Sequence, residues 1–311
     1  METLINVLFI TFSVLLGVIV GSFLGAAVWR LKKGKSMADG RSICPSCKKQ
    51  LDVLDLIPLF SFIFLQGKCR YCNKKISAHY FVTELLTAVA FGTIAYSALL
   101  VSPGGNFLSG YDGLIPVVLR VLILGSALGI TAVLVLVAVY DLWYMEVPEK
   151  VMPYLYVFAG IFTVALGLAA WREEYLKWAY TYGEGAALLG ALVGINVSVW
   201  SMVLNAAVGA GLMFIFFFGM NRLTKGKGMG FGDVVFAPAV GLWLGGVLSL
   251  IALLISFILG SIVASAWALI KYRKIKGVLV PYLPFLCASA LLVFVFSADI
   301  LKWLVNYLVL W

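Results

Sequence analysis

Long uninterrupted apolar runs constrain this chain more than any other feature. Leu4 to Trp29 carries no charge, and neither do the 37 residues from Val234 to Ile270. Leu114 to Tyr140 is broken only by Arg120. Each run exceeds the ~20 apolar residues needed to cross a bilayer. In lipid the backbone must satisfy its own polar groups, so runs of this kind become helices. Apolar residues make up 63% of the 311 and charged residues 12%, against about 45–50% and about 25% in a soluble domain. The first run is too long for the ~7–15-residue apolar core of a signal peptide and lacks a small-residue cleavage site after it. It reads as a retained helix.

The runs predict an all-α polytopic membrane protein of about eight transmembrane helices. The spans are Leu4–Trp29, His79–Val101, Leu114–Tyr140, Val151–Ala170, one near Trp200–Met220, two from Val234–Ile270 broken at Gly245-Gly246, and a last one from near Pro281. A turn-rich outer loop is expected at Ser102–Asp112, and an outer interface at Trp171–Glu184. A Gly/Ala-rich interfacial piece is expected at Gly185–Val199. Three regions result: a first helix at 1–29, a polar insert at 30–78, and a helical membrane domain at 79–311.

The charge of +9 invites a nucleic-acid reading, but its placement argues against one. Of the 23 Lys and Arg, 11 lie between Arg30 and Lys75, one is Lys150, three run from Arg222 to Lys227, and four run from Lys271 to Lys276. Basic residues gather on cytoplasmic loops. Eight spans put all four groups on that side and both termini outside, so the charge is a topology signal and no nucleic-acid partner is expected.

The insert contains Cys44-Pro-Ser-Cys47 and Cys69-Arg-Tyr-Cys72. Two such knuckles offer four thiolates to one tetrahedral ion, for which zinc is the expected metal. Two disulfides are the competing reading, and disulfides do not persist in a reducing cytosol. A redox pair is the third. His79 is expected at the membrane interface rather than on the metal. Cys287, alone in the last span, is expected to pack.

Only 14 carboxylates exist, and ionisable groups at membrane depth tend to mark function. Asp141 ends the third span. Asp233 follows Gly230-Phe231-Gly232 at the head of the sixth. The Lys/Arg map alone puts both on the cytoplasmic face. Two carboxylates brought close cannot both ionise easily, so one holds a proton while the other takes one from water. That combination hydrolyses a peptide. Gly230 and Gly232 would admit a close backbone. Taken singly, each Asp can also be read as an interfacial helix cap. Glu84, near the same face, reads equally as a network or substrate residue and as an interface residue. Glu146 and Glu149 read as solvated loop residues near Asp141. Arg120 is 21 residues from Asp141, ~31 Å along a helix, and is expected to reach outward.

The ordered set resembles the bacterial type IV prepilin peptidases, the leader peptidase/N-methyltransferases of the Gly-x-Gly-Asp aspartyl class. It runs through Gly21-Ser22-Phe23-Leu24, the two Cys knuckles, Asp55-Leu56-Ile57-Pro58, Gly67-Lys68, Ile76-Ser77, Tyr80, Glu84, Asp141 with Pro148, Gly230 to Asp233, and Pro281 to Leu286. The resemblance implies a multi-pass enzyme of the bacterial inner membrane. Such an enzyme cuts the short basic leader of prepilins or pseudopilins after a glycine at the cytoplasmic face, with Asp141 and Asp233 catalytic. It then methylates the new amino terminus with S-adenosylmethionine. The four cysteines would belong to the methyltransferase half, and 79–311 to the protease. Departures from the family pattern fall at Gly25, Glu149, Val235 and Leu283, and none removes a carboxylate or a cysteine.

Rival readings are a presenilin or signal-peptide-peptidase type protease without methyltransferase activity, a non-enzymatic zinc-containing transporter or scaffold, and a membrane redox protein.

Overall fold

The computed structural model describes residues 2–37, 41–101, 114–171, 199–226, 228–273 and 280–309. The expected outer loop after Val101, the outer interface after Trp171 and the piece at 185–198 lie outside the described residues. Among the described residues the regular elements are helices and short 3-10 turns, with two isolated β-bridges in the insert.

The helices are α1 (Glu2–Lys32), α2 (Phe60–Phe64), α3 (His79–Val101), α4 (Leu114–Tyr144), α5 (Met152–Trp171), α6 (Val199–Leu223), α7 (Phe231–Leu244), α8 (Gly246–Tyr272), α9 (Leu283–Val295) and α10 (Ser297–Val309). Six helical stretches among the described residues are long and apolar enough to cross a membrane, in α1, α3, α4, α5, α6 and α8. The other two expected spans take a different form. At 14 residues α7 is ~21 Å long, short of a hydrocarbon core of ~30 Å. It stops at Gly245, whose φ of 78° suits glycine. The last expected span is α9 and α10, bent by 73° at their junction. If that pair counts as one span, the described residues carry seven.

Close helix contact rests on glycine. On α1, a side chain at Gly17 would overlap the Thr87 carbonyl, and one at Gly21 the Glu84 backbone of α3. Small residues spaced by four let two helices approach in this way. Helix α4 lies at the centre, packed on α1, α3, α5 and α9. Its Ile130, Leu134, Val137 and Val139 are essentially inaccessible. Asp141 does not end this helix. The apolar Leu142-Trp143-Tyr144 carries it one turn further, until Met145 turns into the left-handed region at φ 52°. Arg120 is buried, at 8% exposure.

Candidate active site and metal centre

Asp141 sits in the last turn but one of α4 and is 6% exposed. Its Oδ2 accepts a hydrogen bond from the Leu283 backbone N–H at 3.1 Å. Leu283 opens α9, and the first N–H groups of a helix have no partner within it. Asp141 therefore satisfies a donor that α9 leaves over. Next door, the Tyr282 hydroxyl lies 2.6 Å from Ser256 Oγ of α8 and holds the entry to α9 in place.

Asp233 occupies the first turn of α7, and its Oδ2 accepts from the Gly230 N–H at 3.1 Å. Gly230 has no side chain to return the contact, so only one arm of a capping box forms. Asp233 thus caps its own helix and also lies within electrostatic reach of Asp141 and of Tyr282. The contact that joins the two segments is made by Gly232. A β-carbon there would overlap Val147, six residues after Asp141. The α7 turn is held from two other sides. Asn221 Nδ2 donates to the Met229 carbonyl at 2.7 Å, and the Tyr156 hydroxyl to the Val235 carbonyl at 2.7 Å. Asn221 and Tyr156 are polar side chains in apolar helices, a signal that could have singled them out. Val147 and the Leu283 N–H give no such signal.

Glu146 and Glu149 are exposed, as expected, and Glu146 pairs with Lys32 at 2.7 Å. Glu84 joins a different site. It is 7% exposed, and its carboxylate accepts from the Leu59 N–H at 2.7 Å. Leu59 has φ 62°, a conformation that a branched side chain adopts only under constraint. Glu84 thereby fastens the insert to α3.

In the insert the two knuckles repeat one geometry. Cys44 N–H donates to the Lys49 carbonyl and Lys48 N–H to Cys44, each at 2.9 Å. Cys69, Lys74 and Asn73 do the same at the same distance. Lys48 and Asn73, each just after the second cysteine of its knuckle, take positive φ, which turns the chain back to the first cysteine. All four cysteines are free thiols, and their Sγ atoms lie within 4.8 Å of one another. Cys44 and Cys72 stand 3.9 Å apart. Zn–S bonds of 2.3 Å in a tetrahedron put sulfurs ~3.8 Å apart. The cluster can hold one metal ion, consistent with zinc. His79 is outside it. It is 3% exposed, bonds Ser77 at 2.8 Å and packs on Tyr80 and Trp143 at the start of α3. Cys287 is buried among apolar neighbours, as expected.

Between the insert and helices α1 and α3 lies a cavity of about 930 Å³, part of it open to solvent. Trp29, Arg30, Asp55, Tyr80, Phe81 and Glu84 are among its walls. The Asp55 side chain is 3% exposed, with Arg70 Nε 2.8 Å from Oδ1. The hydrogen bond that Tyr71 makes to Asp55 raises the Tyr71 phenol above its ordinary value.

Two family models match the chain. The bacterial peptidase A24 N-terminal domain matches residues 15–98, and the type IV leader peptidase family matches residues 128–265. The chain is 28% identical to a prepilin leader peptidase/N-methyltransferase of Aeromonas hydrophila over 86% of this chain and 76% of the relative. It is 26% identical to that of Bacillus subtilis over 93% and 95%, and 28% identical to that of Xanthomonas campestris over 92% and 90%. No solved structure gives a significant match.

Proposed function

Because this chain belongs to the type IV leader peptidase family, we propose that it removes the leader of prepilins or pseudopilins with Asp141 and Asp233 as an aspartyl pair. The observation that carries this reading is the contact of Gly232 with Val147, which sets the Asp233 turn against the segment after Asp141. The pair shares one proton. The charged carboxylate takes a proton from water as the water oxygen attacks the scissile carbonyl carbon. The protonated carboxyl gives its proton to the carbonyl oxygen. Collapse of the tetrahedral species breaks the C–N bond, and the leaving nitrogen takes a proton from the pair. Leu283 holds the Asp141 carboxyl in one orientation throughout, and Gly230 does so for Asp233.

The helices and the family are those of a multi-pass membrane protein of the prepilin-processing class. The basic clusters support a site on the cytoplasmic face of the inner membrane, where a short basic leader would meet it. The insert at 30–78 supplies a structural zinc site at Cys44, Cys47, Cys69 and Cys72. The second activity is methylation of the new amino terminus. S-adenosylmethionine supplies an electrophilic methyl group in such a reaction, and the residues suited to hold it line the cavity beneath the insert.

The test is cleavage of a co-expressed prepilin, read by mass spectrometry so that leader removal and the methyl group are seen separately. Asp141→Asn and Asp233→Asn should each abolish cleavage in protein that still inserts. Retained cleavage in either variant overturns the aspartyl mechanism.

A further inference from the structure

The cavity beneath the insert includes neither Asp141 nor Asp233 in its lining. Two carboxylates are buried in its walls, and a buried carboxylate is costly unless positive charge meets it. The bond to Glu84 comes from a neutral donor, the Leu59 N–H. Asp55 already has its cation, since Arg70 Nε lies 2.8 Å from Oδ1, so Glu84 is the wall carboxylate that only neutral groups meet. Trp29, Phe62, Tyr80 and Phe81 bring aromatic rings to the lining, which suit a flat base and a neighbouring cation. Arg30 and Arg41 bring guanidinium groups, which suit a carboxylate.

A purine, a cationic centre and a terminal carboxylate in one molecule describe S-adenosylmethionine. We propose that this cavity is its binding site, with Glu84 supplying the negative charge that its sulfonium requires. This rests on the methyltransferase reading given above. Cys44 and Cys69 also line the cavity, so the metal cluster shapes the wall of the ligand site and stands apart from the cleaving pair.

The experiment is calorimetric titration of the purified zinc-loaded protein in detergent with two probes. Sinefungin carries a positive charge in place of the sulfonium, and S-adenosylhomocysteine is neutral there. Sinefungin should bind the wild type more tightly. Glu84→Gln keeps an acceptor for Leu59 and removes the charge. It should weaken sinefungin at least tenfold and S-adenosylhomocysteine far less. Ser61→Trp fills the cavity and should weaken both probes at least tenfold. Bound zinc and elution volume report the fold of each variant. Equal affinities in the wild type and both variants overturn the assignment, and pilin methylated in the same membranes would then leave the methyltransferase reading standing. Absence of both binding and methylation removes the two together.

Discussion

Val147 packs onto the bare α-carbon of Gly232, so that the loop after Asp141 and the turn before Asp233 touch where any side chain would separate them. Each segment comes from a different part of the chain, and this contact sets their spacing. Leu283 adds a second restraint, since its N–H reaches Asp141 from a third segment.

Gly232→Ala should lower prepilin cleavage by about 10- to 100-fold, the scale of an ångström's misplacement in a catalytic group. The overpacking itself should cost about 1–3 kcal/mol. Val147→Ala in the same protein should recover most of the rate, because it removes the methyl groups that the new β-carbon meets. Cleavage of a prepilin in isolated membranes measures both. A double variant as slow as the single one would show that glycine is needed for a reason other than this contact.

Tyr282→Phe and Ser256→Ala each leave one hydroxyl without its partner. Each should destabilise the protein by about 0.5–1.5 kcal/mol. The double variant should cost less than the sum of the two, since neither group is then left unpaired. Thermal unfolding in detergent reads the three values. Strict additivity would mean that the 2.6 Å contact does not hold the entry to α9.

Purified protein should carry one zinc per chain by elemental analysis, and Cys44→Ser with Cys47→Ser should lose it. Chelation of the wild type should expose four more thiols to a sulfhydryl reagent, because a bound thiolate is shielded. Metal-free protein whose thiols cycle between disulfide and reduced forms would favour the redox reading.

Glu84→Ala should loosen the insert. It strands the Leu59 N–H, and a buried donor without an acceptor costs about 1–3 kcal/mol. Limited proteolysis should then cut within residues 30–78 sooner than in the wild type. Glu84→Gln should digest like the wild type, since its carbonyl oxygen still accepts from Leu59. Equal resistance of the alanine variant would show that the insert is held by other contacts.

The sequence by itself determined the class of protein and the chemistry available to it. Apolar runs longer than a bilayer leave no fold but packed helices, because lipid cannot satisfy an open backbone. The knuckle spacing was equally legible, since two short turns bring four thiols together by local geometry alone. The two aspartates stood out because carboxylates are so few in such a chain.

What only the tertiary structure decided is who stands beside whom. Glu84 read equally as a network residue and as an interface residue, and it accepts from the Leu59 N–H of the insert at a level where Gly21 of α1 lets α3 approach. The shortness of α7 and the bend between α9 and α10 were not legible either. An apolar run reports that a segment is buried, but whether it is buried by lipid or by protein depends on neighbours far away in the chain. The contact between Val147 and Gly232 is of the same kind. It joins residues 85 positions apart through one residue with no distinguishing side chain and one with none at all, and only packing could bring them together.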